Sequence, residues 1–328
     1  MATLFLDRSG LEIRVIDNAV ALYENGVRST TVPIKLIERL IVQGARTRLD
    51  TSVLLKLAEA GTSTLLLAPR AGRRIAIVLG PAHNDAAIRL AQAQRCVDPA
   101  FCDQWAQQIV HAKIRRQLTV LETAAQKRPD QRKALFDACR ALRDILGQFT
   151  PESAQRSSAS LRGLEGAAAR SYFAGYGALF APTLEFTGRN RRPPRDPVNA
   201  CLSLAYTLLH FDAVRAAHVA GLDPLLGFYH RPAFGRESLA SDLIEPLRPH
   251  VDQWIWQQFI QRDLREEHFS RDKGACLLGK SARGRFYAAW EKFAPTGRRW
   301  LRQRCTTLAR NLRTEGQTWL VEDDDEVF

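Results

Sequence analysis

Hydrophobic and polar positions keep a two-residue period through the first eighty residues and then change period. Leu11-Glu12-Ile13-Arg14-Val15-Ile16 alternates as a half-buried strand does. Ala19–Tyr23 follows the turn pair Asp17-Asn18, and the next turn, Asn25-Gly26, is a strong hairpin signal. Thr30–Pro33 and Arg39–Val42 read as further strands. Thr51–Ala60 reads as a short helix stopped by Gly61, followed by strands at Ser63–Leu67 and Arg74–Leu79. Gly80-Pro81 breaks this pattern. Beyond it the period is helical: Ala86–Cys96 with Asn84 or Asp85 as N-cap, then a helix with Trp105, Ile109, Ile114, Leu118, Leu121 and Ala125 on one stripe. Lys113, Arg115 and Arg116 take that helix's other side. Most of the remaining chain reads as helix, with loops near 186–197 and 231–237. Strands grouped first and helices grouped later predict an α+β protein: a small N-terminal β-rich domain over 1–80, then a larger all-α domain over 81–328. The latter ends in an acidic tail of about 315–328, with Glu322, Asp323, Asp324, Asp325 and Glu326 in succession.

With 328 residues the chain is long enough to bury cores without disulfide staples. No apolar run approaches a membrane span, so no membrane association is expected. Met1–Asp7 lacks a basic start before a long apolar stretch, which predicts no secretory signal. None of the six cysteines forms a C-x-x-C pair, and together these features predict reduced thiols in a cytoplasmic protein. Forty-seven Lys and Arg against thirty-five Asp and Glu leave a net charge of +12, which suits a phosphate-covered partner; an unspecialised basic surface has the same composition. G-x-G-x-x-G after a strand and G-x-x-x-x-G-K-[ST] are both missing, so Gly-rich nucleotide binding is unsupported.

Three segments of the helical half carry candidate chemistry. In Leu161–Arg170, Glu165 is a lone carboxylate among Gly163, Gly166 and alanines. Two helical glycines, each unfavourable by about 1 kcal/mol against Ala, predict a close approach to that backbone. Glu165, Ala169 and Phe173 share a small apolar face, which aims Glu165 at a core or a cleft. Taken alone, this segment reads first as a small-residue helix contact with Glu165 at its edge. In Gly221–Pro232, His230 ends an apolar run before a loop, a setting that suits a hydrogen-bonded structural residue as well as a ligand. In Ser238–Pro249, Ser238 can cap a helix start, and Asp242 and Glu245 share one face by i, i+3 spacing. Two adjacent like charges need a cation or base between them, with Arg248 as one possible balance. Pro246 ends or kinks the helix just after Glu245. Carboxylates with one imidazole suit Mg2+ or Mn2+, and on a basic protein such a site points to phosphodiester chemistry.

The order E-G-A-A-A-R-x-Y-F (Glu165–Phe173), D-P-V-N-A-x-L-S (Asp196–Ser203), G-L-D-P-x-L-G-F-Y-H (Gly221–His230) and S-L-A-x-D-L-I-E-P-x-R-P (Ser238–Pro249) resembles the CRISPR-associated integrase family, the larger of two near-universal CRISPR adaptation proteins. The resemblance covers most of the chain. It implies a metal-dependent DNA endonuclease and integrase that joins short DNA fragments to the CRISPR array by attack of a 3′-hydroxyl. Carried over by motif, Glu165, His230 and Glu245 are the metal ligands and Asp242 is an additional acidic residue of the catalytic set. Asn199 is a supporting residue or a helix cap, and Tyr172 lies near the DNA. The resemblance further implies double-stranded DNA (fragment and repeat) as substrate, a homodimer formed through the N-terminal domain, and a small ferredoxin-like adaptation protein as partner. Arg283, Arg285, Arg298 and Arg299 are candidate DNA-backbone contacts on the C-terminal stretch. The competing reading is a non-catalytic nucleic-acid-binding scaffold subunit whose acidic residues are structural.

Overall fold

The computed structural model describes residues 2–68, 74–81, 83–149, 156–190 and 193–320. The acidic run Glu322–Glu326 lies outside the described residues. An N-terminal sheet region precedes a mostly helical remainder, the α+β arrangement expected from the change of period. The chain forms two compact units. The first comprises Met1–Ala82, Pro193–Phe211 and Arg265–Pro295; the second comprises His83–Arg192, Asp212–Leu264 and Thr296–Phe328.

The first unit holds two four-stranded sheets. In one, β1 (Ala2–Leu6), β5 (Ile37–Val42), β7 (Ser63–Leu67) and β8 (Arg74–Val78) lie side by side in that order, parallel except for the final β7–β8 pair. In the other, β4 (Val27–Pro33), β3 (Ala19–Glu24) and β2 (Leu11–Ile16) form an antiparallel meander, and the short β6 (Arg48–Leu49) adds in parallel to β2. The β3–β4 turn is Asn25-Gly26, with φ of 51° and 79° at the two positions. Two consecutive left-handed residues give the turn whose twist matches its strands, which is why Asn-Gly is so legible. Leu11, Ile13, Val20, Leu22, Ile37, Leu40 and Val42 from both sheets pack with Val53 and Leu57 of α1 (Thr51–Glu59) in one core. Each such side chain contributes roughly 1.5–3 kcal/mol on burial, so a one-residue slip of β2 or β5 is strongly disfavoured.

Later in the chain, Pro193–Phe211 with the start of α6 (Pro197–Val219) and two elements of Arg265–Pro295 join this unit. A hairpin of β9 (Phe269–Asp272) and β10 (Ala275–Leu278) interrupts the helical half, where the sequence pattern predicts helix. Its turn, Lys273-Gly274, has φ of 49° and 80°, the same geometry as Asn25-Gly26 without the asparagine that advertises it. The helix α9 (Lys280–Phe293) then buries Phe286, Tyr287 and Trp290. Tyr287 stacks on Phe5 at 4.2 Å, and Arg283 pairs with Asp7 at 2.8 and 3.0 Å.

The second unit is helical: α2 (Ala86–Val97), α3 (Pro99–Lys127), α4 (Arg132–Leu146), α5 (Ser158–Gly177), the last residues of α6 (Pro197–Val219), α7 (Ser238–Ile244), α8 (Arg248–Ile260) and α10 (Pro295–Gln317). Asp85 caps α2, and Asp98 caps α3 through the amides of Ala100 and Phe101. Asp103 of α3 accepts from the amide and hydroxyl of Ser158 (2.7 and 2.5 Å), which ties the start of α5 to α3. Close approach to α5 occurs at Gly175, where a Cβ would lie 2.7 Å from Ala138 Cβ, and not at Gly163 or Gly166, where a Cβ would meet nothing within 4 Å. The helical glycines beside Glu165 therefore do not mark a packing contact. Among the described residues, no helix is long and apolar enough to cross a membrane.

Candidate functional site

Asp242 organises the site. Its side chain is fully buried on α7, where a bare carboxylate would be strongly disfavoured. The loop ending at His230 solves this with its own backbone. Phe228 and Tyr229 donate their amides to Asp242 Oδ2 at 2.8 and 2.9 Å, and His230 donates its amide to Oδ1 at 2.8 Å. The His230 ring adds a fourth bond, Nδ1 to Oδ1 at 2.7 Å. An aspartate that accepts at Oδ1 fixes the proton on Nδ1, so the lone pair that His230 offers a ligand lies on Nε2. Gly227 allows the loop to come this close, since a Cβ there would stand 2.5 Å from the backbone of Ser238. Ser238 is the first helical residue rather than the cap, and its hydroxyl donates to Arg231 O at 3.1 Å. The motifs G-F-Y-H and S-L-A-x-D are thus two halves of one hydrogen-bonded unit.

Glu245 follows one turn later. The α7 helix ends at Ile244, and a single 3₁₀ turn, Glu245–Leu247, leads into α8, so Pro246 interrupts the helix at the position its ring dictates. Arg116 of α3 braces this turn by donating to Pro246 O at 2.6 Å. The Glu245 side chain is only 4% exposed, yet it carries charge partners on both oxygens: Arg248 Nε at 3.1 Å from Oε1 and Lys113 Nζ at 2.6 Å from Oε2. Burial alone pushes this carboxyl up. Arg248 and Lys113, with a smaller contribution from His230, outweigh it and hold the group down at about 2. The Lys113 contact at Oε2 acts on this carboxyl both as a charge and as a hydrogen bond.

Glu165 reaches the same cation from α5. Its Oε1 lies 2.5 Å from Lys113 Nζ, and its Oε2 accepts from the Tyr229 hydroxyl at 2.5 Å. The phenol is pushed above its usual range by burial and by the Glu165 charge, which keeps it a donor. Arg162, one turn before Glu165, places its guanidinium 5.9 Å from the Tyr229 ring centre and donates to Tyr229 O at 3.4 Å. Lys113 is nearly buried itself; burial lowers its pKa, but Glu245 and Glu165 together raise it above the ordinary lysine value.

The structure thus brings together Glu165 and Glu245, which share Lys113, and Asp242 and His230, which share a hydrogen bond. Among the described residues, no three His, Cys, Asp or Glu side chains converge at metal-ligand geometry; an ammonium stands between the two glutamates. The donor set nevertheless fits a divalent ion. Two carboxylate oxygens from separate elements already converge on one cationic centre, and the imidazole is oriented through a carboxylate as metal-ligating histidines are.

Most of the remaining candidates have partners of their own. Asn199 is in the first unit, at the third residue of α6; its amide and side chain donate to Asp196 at 2.8 and 2.6 Å, so it belongs to the helix cap. Tyr172 is fully buried and donates to Asp252 Oδ2 at 2.9 Å, which corrects the expectation that it lies near DNA. Tyr172→Phe is therefore expected to lower the unfolding free energy by about 1.5–3 kcal/mol in a urea titration and leave DNA affinity unchanged. Loss of DNA affinity at unchanged stability would put this residue at the interface instead. Arg298 is also corrected as a backbone contact, since it is buried and paired with Asp212 at 2.9 Å; Arg283 is paired with Asp7. Arg285 and Arg299 are exposed. Sequence reading misses Lys113 and Tyr229. Lys113 is four residues from the buried Ile109 and four from the buried Gln117, a spacing that puts it at the edge of the inward stripe rather than on the opposite side.

Residues 4–292 match the family model for CRISPR associated protein Cas1. "CRISPR-associated endonuclease Cas1 1" of Thermodesulfovibrio yellowstonii is 36% identical over 319 residues, which cover 96% of this chain and 98% of the relative. The chain belongs to the Cas1 family. Two solved structures share the Cas1 fold seen here. "Casposase bound to integration product" superposes with a TM-score of 0.82 at 20% identity, covering 96% of this chain and 91% of the other. "Cas6-RT-Cas1--Cas2 complex" superposes with a TM-score of 0.80 at 24% identity, covering 95% of this chain and 35% of the other.

Proposed function

We propose that this Cas1-family chain is a cytoplasmic, metal-dependent DNA endonuclease and integrase that joins short double-stranded DNA fragments to a CRISPR array. The single observation that supports it best is the convergence of Glu165 and Glu245 on one cationic centre, with His230 oriented by Asp242 nearby. Glu165, His230 and Glu245 are the residues that hold Mg2+ or Mn2+. When bound, such an ion polarises a phosphoryl oxygen and assists ionisation of an attacking hydroxyl. Asp242 holds the histidine tautomer, Tyr229 fixes Glu165 in its rotamer, and Arg248 keeps Glu245 ionised. Attack of a 3′-oxygen on phosphorus forms one P–O bond and breaks another, releasing a new 3′-hydroxyl. Because the diester bonds balance, no nucleotide is hydrolysed, in keeping with a sequence that has no phosphate loop. With water as nucleophile the same groups give strand cleavage.

The DNA would lie against exposed cations. Arg231 and Arg236 stand on the exposed stretch directly after His230, and Arg285 and Arg299 are exposed as well. The proposed partners are DNA, a small ferredoxin-like adaptation protein, and a second copy of this chain docked through the β-rich N-terminal region; the two similar solved structures, one with an integration product and one with Cas2, support DNA and a Cas partner. Binding dominated by phosphate contacts has a steep salt dependence. Six neutralised phosphates correspond to an affinity loss of about 10³-fold between roughly 50 and 200 mM salt, measured by fluorescence anisotropy with a labelled duplex. A flat response would argue against a phosphate-lined surface.

The test of function is strand transfer. Labelled duplex fragments, a repeat-containing plasmid, Mn2+ and the small partner protein are incubated with the chain. Covalent joining that Glu165→Ala eliminates supports the integrase; cleavage without joining reduces the proposal to a nuclease. Joining that Glu165→Ala leaves intact would favour the scaffold reading.

A further inference from the structure

We propose that Lys113 is a built-in counter-ion that occupies the divalent cation's place between Glu165 and Glu245, and that cation binding displaces its ammonium from at least one of them. This rests on the reading of those glutamates as metal ligands. Three elements of the second unit meet at this point: α3 brings the ammonium, α5 brings Glu165, and the turn after α7 brings Glu245. The nitrogen is 2.5 Å from Glu165 Oε1 and 2.6 Å from Glu245 Oε2, with the three side chains 13%, 20% and 4% exposed. Two carboxylates this close and this dry repel each other unless a cation lies between them. An ammonium is a compact point charge and meets that need without the flat fork of an arginine.

A metal ion held by the same two oxygens uses the lone pairs that Lys113 now uses, so the two cations compete. Lys113 and Arg248 supply two positive charges opposite Glu165 and Glu245, so a divalent ion added to the same groups leaves an excess of positive charge toward a phosphodiester, and part of that excess is the lysine's.

The experiment is Mn2+ binding to the full chain without DNA, by isothermal titration and by the EPR signal of free Mn2+, with thermal melts in EDTA and in Mn2+. Lys113→Met is expected to bind Mn2+ about tenfold more tightly than wild type, since the competing charge is gone. It is also expected to melt lower in EDTA and to gain more from Mn2+. Lys113→Arg, which keeps the charge, should bind close to wild type. If Lys113→Met does not fold, Lys113→Gln replaces it with the same expectation. A merely structural lysine would give equal or weaker Mn2+ binding on removal, and that result overturns the proposal. If wild type and Lys113→Met bind equally while Glu165→Gln abolishes binding, the metal reading stands and this inference alone fails. No Mn2+ binding by either protein overturns both.

Discussion

Replacing Glu165 with alanine is expected to lower strand transfer and DNA cleavage by about 10³-fold or more. A bound metal contributes several kilocalories per mole of transition-state charge stabilisation, and each 1.4 kcal/mol is about tenfold in rate. Of the proposed ligands, Glu165 is the one most easily lost without collapse of its surroundings. It is partly exposed, its neighbours Gly163 and Gly166 face open space, and its removal leaves Lys113 paired with Glu245. The fold should therefore survive. The measurement is single-turnover joining of a labelled duplex in Mn2+, alongside a melt to show that the variant is folded. Glu165→Gln keeps the shape and removes the charge. If it retains activity near wild type, the carboxylate has no part in the chemistry.

Asp242→Ala is expected to be the most damaging single change to stability in this region. It strands three consecutive amides, those of the buried Phe228 and Tyr229 and the half-buried His230, and removes the acceptor that fixes the His230 ring. Each unsatisfied buried donor costs about 1–3 kcal/mol, so a loss of roughly 3–5 kcal/mol is expected even with partial relaxation. Urea denaturation reads that loss directly. Asp242→Asn retains an acceptor and the shape, so its stability should be intermediate. Its Mn2+ affinity should fall about 10- to 100-fold, the usual effect of removing a residue that orients a ligand. A stable, tightly binding Asp242→Ala protein would mean that the loop ending at His230 is held by other contacts.

What could be read from residue order depended on range. The β2–β3–β4 meander is written in local alternation and in Asn25-Gly26, so its strands and its tighter turn are legible. The β9–β10 hairpin has the same turn geometry at Lys273-Gly274, but a lysine with positive φ gives no local signal, and the flanking strands are only four residues each. The acidic pair Asp242 and Glu245 was legible as a problem of like charges on one face. Its solution was legible only in part: Arg248, three residues on, is a local partner of Glu245, whereas Lys113 and the backbone amides at 228–230 come from other segments. Lys113 looked like a solvated residue since periodicity averages over a helix, whereas a single inward cation is decided by carboxylates fifty or more residues away. Tyr172 and Arg298 erred in the opposite sense. Motif neighbourhood or cationic character marks such residues as exposed and functional, yet each is buried against one aspartate, Asp252 and Asp212 respectively.

Anomalous diffraction at the manganese edge, from crystals of the full chain soaked in Mn2+, tests the central claim most directly. The expected result is one strong peak per chain within about 2.4 Å of oxygens from Glu165 and Glu245 and of His230 Nε2, with Asp242 still bonded to Nδ1. A map with no peak there while Lys113 keeps both glutamates, or with manganese only at other carboxylates, would contradict the account.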